Sequence, residues 1–311
     1  MHDLNVKNPD FEVVGSDVLQ SERIYSKSMT YWQDAFRRLK KNKPAVFCFW
    51  IIAVLITLCI VGPYLNGFSY RVMNFNIANT WNWDVIKQGH FFGGDEFGRD
   101  EFVRVWFGGR VSFFISLVVV VSEGIIGTVY GGIAGLIGGK TDIIMMRIVE
   151  IFFAIPSVIY IILLMIVLGP GVMTIIIAMS ITQWLYMALL IRGEVLKLKQ
   201  NEYIMASEAL GANRWRILIK HLLPNCMGII IVRLTLDIPT AIFTEAYLSF
   251  IGLGVPPPQC SWGSLANDGY NQLYAAPFLF LIPIIMISVV TLTFNILGDG
   301  LRDALDPKLR K

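Results

Sequence analysis

Six apolar runs, at residues 44–65, 111–137, 143–168, 172–191, 226–253 and 277–297, take up most of this 311-residue chain. Each has at least the roughly 20 residues that a helix needs to cross a bilayer. Hydrocarbon offers no partner to a backbone N–H or C=O, so long unalternating runs satisfy those groups only as helices. The expected fold class is therefore an all-α membrane protein with six transmembrane helices. Composition agrees, with 16% charged residues where soluble domains carry about 25%. The net charge of +3 sits in short runs beside apolar segments and does not describe a nucleic-acid surface.

Charge sets the orientation. Arg37, Arg38, Lys40, Lys41 and Lys43 precede the first run, and basic residues accumulate on the cytoplasmic side, which places the N-terminus inside. That run exceeds the apolar core of about 7 to 15 residues in a cleavable signal and is expected to stay attached. Four crossings then return residues 202–225 to the cytoplasm, together with Arg192, Lys197, Lys199, Arg214, Arg216 and Lys220. The loop at 254–276 falls outside and contains neither Lys nor Arg. The chain divides accordingly into a cytoplasmic tail (1–43), a first span (44–65), an extracytoplasmic segment (66–110), a core (111–299) containing the cytoplasmic loop 192–224, and a cytoplasmic tail (300–311).

Other familiar chemistries find little footing. Cys48, Cys59, Cys226 and Cys260 show no CxxC spacing, and His2, His90 and His221 are scattered, so neither a disulfide framework nor a metal site is expected. Gly138-Gly139-Lys140-Thr141 fails as a phosphate loop because the required first glycine is Ala134. Gly127, Gly131, Gly135 and Gly139 recur every fourth residue and predict a bare face for a neighbouring helix. Charges inside spans cost about 2.5–3.5 kcal/mol each at a helix centre, so Glu123, Glu150, Asp237 and Glu245 should face protein or water. Arg147, three residues before Glu150, allows a purely structural pair. Pro156 and Pro239 are expected to bend their helices.

The polar stretch 202–225, EYIMASEALGANRWRILIKHLLPN, interrupts the apolar second half. Glu202 suits a first helical turn, and Gly211 tolerates the left-handed conformation past a helix end. On the short helix between them Glu202, Ala206 and Ala209 share one face, which a partner could approach closely. Arg214, Arg216 and Lys220 follow, then Pro224, suited to a first turn.

Ala206, followed by Ala209-Leu210-Gly211-Ala212 and by Leu223-Pro224-Asn225, resembles the cytoplasmic coupling loop of ABC importer permeases. That family often reads Glu-Ala-Ala where Met205, Ala206 and Ser207 stand; only the middle residue matches, which puts a salt link from position 205 in doubt. Gly93-Gly94-Asp95-Glu96-Phe97-Gly98-Arg99-Asp100 resembles a motif of peptide and nickel permeases, with Gly94 in place of Thr; by itself it reads as a turn with local Asp–Arg pairing. The segments 244–254, 256–263 and 298–307 are also similar to the family in register, and Trp32-Gln33-Asp34-Ala35 looks most like C-type permeases of Gram-positive oligopeptide systems.

The resemblance implies a type I ABC importer permease fold and a non-enzymatic subunit in a bacterial plasma membrane, forming half of an oligopeptide pore. Dipeptide, nickel, haem or glutathione are alternative cargoes. It implies as partners a second homologous permease, two ATPases that bind ATP and Mg, and an extracytoplasmic peptide-binding lipoprotein, with no cofactor in this chain. The ATPases would dock on Glu202, Tyr203, Ala206, Ser207, Ala209, Leu210, Gly211, Ala212 and Arg214. Glu150, Asp237 and Glu245 are candidate pathway groups; the rival reading, an ion-coupled secondary transporter, would use the same three as cation sites.

Overall fold

The computed structural model describes residues 30–306, so positions 1–29 and 307–311 of the two expected tails lie outside the described residues. The chain enters through α1 (Tyr31–Lys41), whose start is a reciprocal cap between Thr30 and Gln33. Asn42 ends α1, and its side chain accepts from Ala45 N to begin α2 (Lys43–Val61). A short α3 (Trp83–Lys87) lies in the following polar segment, and α4 (Glu101–Ile137) is the longest α-helix. α5 (Gly139–Phe153), α6 (Ser157–Leu168) and α7 (Val172–Leu198) follow, then the short α8 (Glu202–Ala209) and α9 (Arg214–Ile217). α10 (Leu223–Leu248), α11 (Trp262–Asn271) and α12 (Phe278–Leu305) complete the order.

Five helical stretches are long and apolar enough to cross a membrane, and α5 with α6 forms a sixth, broken span. Within the best apolar windows, 56% of the α7 span is buried against 28% of the α12 span, so α7 is central and α12 outer. The stripe of small residues on α4 explains its closeness to α7. A side-chain carbon built on Gly127 would meet Met187 Cβ at 2.5 Å, and one on Gly131 would meet the Ala188 carbonyl oxygen at 2.2 Å. Gly135 is similarly pressed by Val195 and the Arg192 carbonyl. Gly139 departs from the expected stripe: it opens α5 at φ +56°, with no neighbour within 4 Å of a built side-chain carbon.

Three boundaries differ from the apolar pattern. α4 begins at Glu101, ten residues before the apolar run, because Asp100 caps it and protein rather than lipid surrounds its polar first turns. The 143–168 run is not one rod: its two helices meet at 78° across Ala154–Pro156, so Pro156 marks a break. The fifth span is a 40-residue stretch, Arg214–Leu253, that runs straight through Pro224. Proline has no N–H and its ring crowds the carbonyl four residues back; the helix widens to a π-type turn over Leu218–Leu222 just before it. Pro239 lies inside α10, which continues past it.

At one end of the bundle the 93–100 motif folds as a self-paired turn. Asp95 accepts from the backbone of Phe97 (3.0 Å) and Arg99 (2.8 Å) and from Arg99 Nε (2.6 Å). Gly98, at φ +69°, leaves no room for a side chain: a carbon there would lie 1.8 Å from Asn74 O. Asp100 caps α4 through Val103 N (2.8 Å) and meets His90 Nδ1 at 2.6 Å. Arg104, buried inside α4, bonds Asp268 of α11 (3.1 Å) and lies 3.4 Å from Asp95, tying this turn to the 254–277 loop. Burial pushes the Asp268 carboxyl up, with Arg104 opposing it. Burial also pushes the Cys260 thiol up to about 12, and its Sγ–H donates to Arg104 O at 3.5 Å. Cys260 should therefore resist maleimide in the folded protein at pH 8, where an ordinary thiol near 8.5 is partly ionised, and react once the chain is denatured. Mass-spectrometric mapping of the labelled cysteines checks this.

The opposite end gathers α1, α8, the start of α10 and the end of α12. Tyr31 donates to Leu305 O (2.8 Å), Arg38 to Asp306 O (3.3 Å), and Asn225 Nδ2 to Tyr203 Oη (3.2 Å).

Candidate functional site

The loop between α7 and α10 is built as a fixed projection. Arg192 holds Asp142 of α5 through two bonds (2.5 and 2.6 Å), and Lys199 Nζ donates to Leu136 O at the end of α4 (2.7 Å). Ile204, Ile217 and Leu222 are fully buried and root the loop in the bundle. The stop at Gly211 is a left-handed closure at φ +81°: Ala212 N donates to Ser207 O (3.1 Å) and Gly211 N to Glu208 O (2.9 Å).

That closure pushes Leu210 outward to 90% exposure, beside exposed Tyr203, Met205 and Trp215. Glu202, Ala206, Ala209 and Arg214 are exposed, while Ser207 and Ala212 are half-buried. An apolar knob raised on a polar loop outside the spans is a contact surface in search of a partner. Trp215 was not among the residues expected there, although an aromatic between Arg214 and Arg216 was a readable signal.

The second feature is a cavity of about 510 Å³ among α4, α6, α7 and α10. α10 lines it with a stripe of Arg233, Asp237, Thr240 and Thr244, spaced four, three and four residues apart on one helical face. α7 contributes Thr182, Gln183 and Tyr186, and α4 contributes Glu123. Arg233 Nε bonds Asp237 at 2.7 Å and its guanidinium lies 5.8 Å from the Tyr186 ring centre. Glu123 and Asp237 line the same wall. Ser157, which begins α6 after the Pro156 break, reaches the same space. Of the wall only Asp237 had been singled out as a pathway group; the stripe on α10 was legible, but the residues facing it from α7 were not.

The other two candidate pathway groups lie elsewhere. Glu150 is 60% exposed and pairs with Arg147 at 2.6 Å, away from the cavity. Glu245 is sealed: its carboxyl takes Ser112 Oγ (2.8 Å) and Ser249 Oγ (2.6 Å), and Ser112 Oγ also accepts from Trp262 N (3.2 Å). Glu245 thus fastens α10 and α11 to α4 and is not in the wall of this cavity. Removing it leaves buried hydroxyls unpaired at about 1–3 kcal/mol each. Glu245→Ala should lower the melting temperature of the detergent-purified protein by several degrees, and Glu245→Gln, which keeps an acceptor, should lower it much less.

A bundle of spans around a polar cavity, with a rigid knob at one end, is the architecture of a transporter's membrane subunit. A profile of the binding-protein-dependent transport system inner membrane component family matches residues 127–311, and one of the N-terminal TM domain of oligopeptide transport permease C matches 30–82. The chain belongs to that inner membrane component family and is a permease subunit of an ABC importer, not an enzyme. It is 46% identical to the oligopeptide transport system permease protein OppC of Bacillus subtilis (strain 168), over 99% of both chains. Identity is 44% to the dipeptide transport system permease protein DppC of the same organism, over 94% of this chain and 90% of that one. A chain of the MetNI methionine ABC transporter in inward facing conformations superposes with a TM-score of 0.53 at 19% identity, covering 65% of this chain and 94% of that one. Such importers work with ATPases and a substrate-binding protein, and family membership decides between ATP-driven and ion-coupled transport in favour of the first.

Proposed function

We propose that this chain forms half of the translocation path for oligopeptides. The observation that carries the cargo is the 46% identity to an oligopeptide permease along essentially its whole length. A second permease of the same family completes the path, two ATPases that bind ATP and Mg dock beneath the permeases, and an extracytoplasmic peptide-binding protein delivers the cargo. The α8 knob receives the ATPase, and that end, with both termini, faces the cytoplasm, a reading supported by the basic residues of α1 and of the 199–220 loop.

In this reading closure of the ATPases on ATP displaces α8. Ile204 and Ile217 pass the displacement to the 40-residue Arg214–Leu253 stretch, whose cavity-facing stripe then moves against the α5–α6 break. The test is uptake of a labelled peptide library by vesicles holding the complete importer, with and without ATP. ATP-dependent accumulation of peptides of three or more residues is expected. Accumulation of dipeptides alone would favour the dipeptide reading, and uptake that ignores ATP but collapses with the proton gradient would overturn both.

A further inference from the structure

We infer that the cavity among α4, α6, α7 and α10 is a subsite that takes the α-ammonium end of the transported peptide between Glu123 and Asp237. The inference rests on the oligopeptide reading and adds the atoms that recognise the cargo. Glu123 lies on the 23rd residue of the 37-residue α4, deep in the span, and is only 2% exposed. A carboxyl at that depth ordinarily faces a cation. Arg233, the cation nearest at hand, is already held by Asp237 at 2.7 Å and leans on the Tyr186 ring. Glu123 is left sharing the cavity wall with a second carboxyl, and no hydrogen bond or ion pair joins it to a described basic side chain.

Two carboxyl groups so placed repel each other when charged, and a cation arriving between them removes the repulsion. The space suits the end of a chain molecule better than a bare ion: about 510 Å³ is within the roughly 300–1,000 Å³ of organic-ligand pockets. Among the described residues no group of three or more His, Cys, Asp or Glu side chains is placed to hold a metal.

The rest of the wall matches a peptide backbone. Gln183 faces the cavity with no side-chain hydrogen bond inside the described chain, leaving an amide donor and acceptor for a peptide unit. Thr240 and Thr244 donate to the carbonyls of Leu236 (3.4 Å) and Thr240 (2.8 Å) and keep their lone pairs as acceptors. An α-ammonium group and backbone amides are what peptides of every sequence share. A permease reading only these accepts many side chains and rejects a blocked amino terminus.

The experiment compares trialanine, N-acetyl-trialanine and trialanine amide in vesicles holding the complete importer, with one unchanged binding protein throughout. Any change in preference between variants then originates in the permease. Wild type should prefer trialanine over its N-acetyl form. Glu123→Gln, and independently Asp237→Asn, should cut that preference about tenfold, the effect of about 1.4 kcal/mol, while Glu150→Gln, outside the cavity, leaves it unchanged. If wild type carries trialanine with no such preference, or both cavity variants keep it, the inference fails and the oligopeptide reading stands. A preference in the variants that changes only against the amide form assigns the cavity to the other end of the peptide and also overturns it. If wild type carries none of the three, the oligopeptide reading falls and takes the inference with it.

Discussion

Gly131→Leu is expected to leave little correctly folded permease. A first side-chain carbon at Gly131 would lie 2.2 Å from the Ala188 carbonyl oxygen and 3.0 Å from its Cα, both backbone atoms that no rotamer change can clear. The helices would have to separate along the contact that Gly127 and Gly135 also make, which strips close packing from the centre of the bundle. In a membrane that packing is a principal source of helix association, since lipid is as apolar as the side chains. Overpacking of this kind costs about 3 kcal/mol or more, and the melting temperature in detergent should fall by roughly 5–10 °C. Gly193→Ala is the matched control: it is also helical, on α7, but with nothing within 4 Å of the new carbon. It should be neutral or stabilising by up to about 1 kcal/mol. Equal melting temperatures for Gly131→Leu and wild type would show that α4 and α7 do not meet as described.

The second large effect is functional and comes from the α8 knob. Gly211→Pro cannot hold the φ of +81° and removes the N–H that reaches Glu208 O, so the closure that presents Leu210 is lost. Ala206→Trp keeps the closure and raises a large ring on the exposed small face. Both should reduce ATP-driven uptake at least tenfold, and ATP hydrolysis should cease to respond to loaded binding protein. The bundle should remain intact, because α8 is rooted through Ile204 rather than through the altered positions. The measurement is the ratio of transported peptide to hydrolysed ATP in vesicles holding the complete importer. Unchanged coupling in both variants would mean that the ATPases grip the permease somewhere else.

Much of this molecule was open to reading from residue order alone. Apolar runs had to become helices because lipid leaves the backbone no other partner. Gly211 had to end α8, since glycine enters the left-handed region without a steric cost. The small residues at 127, 131 and 135 had to face another helix, and the kink proline at 156 stands at a true break. These are local requirements, met within a turn or two of chain.

What local order could not supply was the sorting of the intramembrane acids. Glu150 already had Arg147 within one turn of its own helix, but Asp237 and Glu245 looked alike as charges within spans. Packing kept Glu150 with that arginine, closed Glu245 among hydroxyls from α4 and the end of the fifth span, and left Asp237 facing an open cavity. Nor did local order show that Gln183 and Tyr186 would confront Arg233 and Asp237 across that cavity. The role of a charge in a membrane depends on which helix stands opposite it. That is settled by how distant segments interlock, because a single helix carries no record of its neighbours.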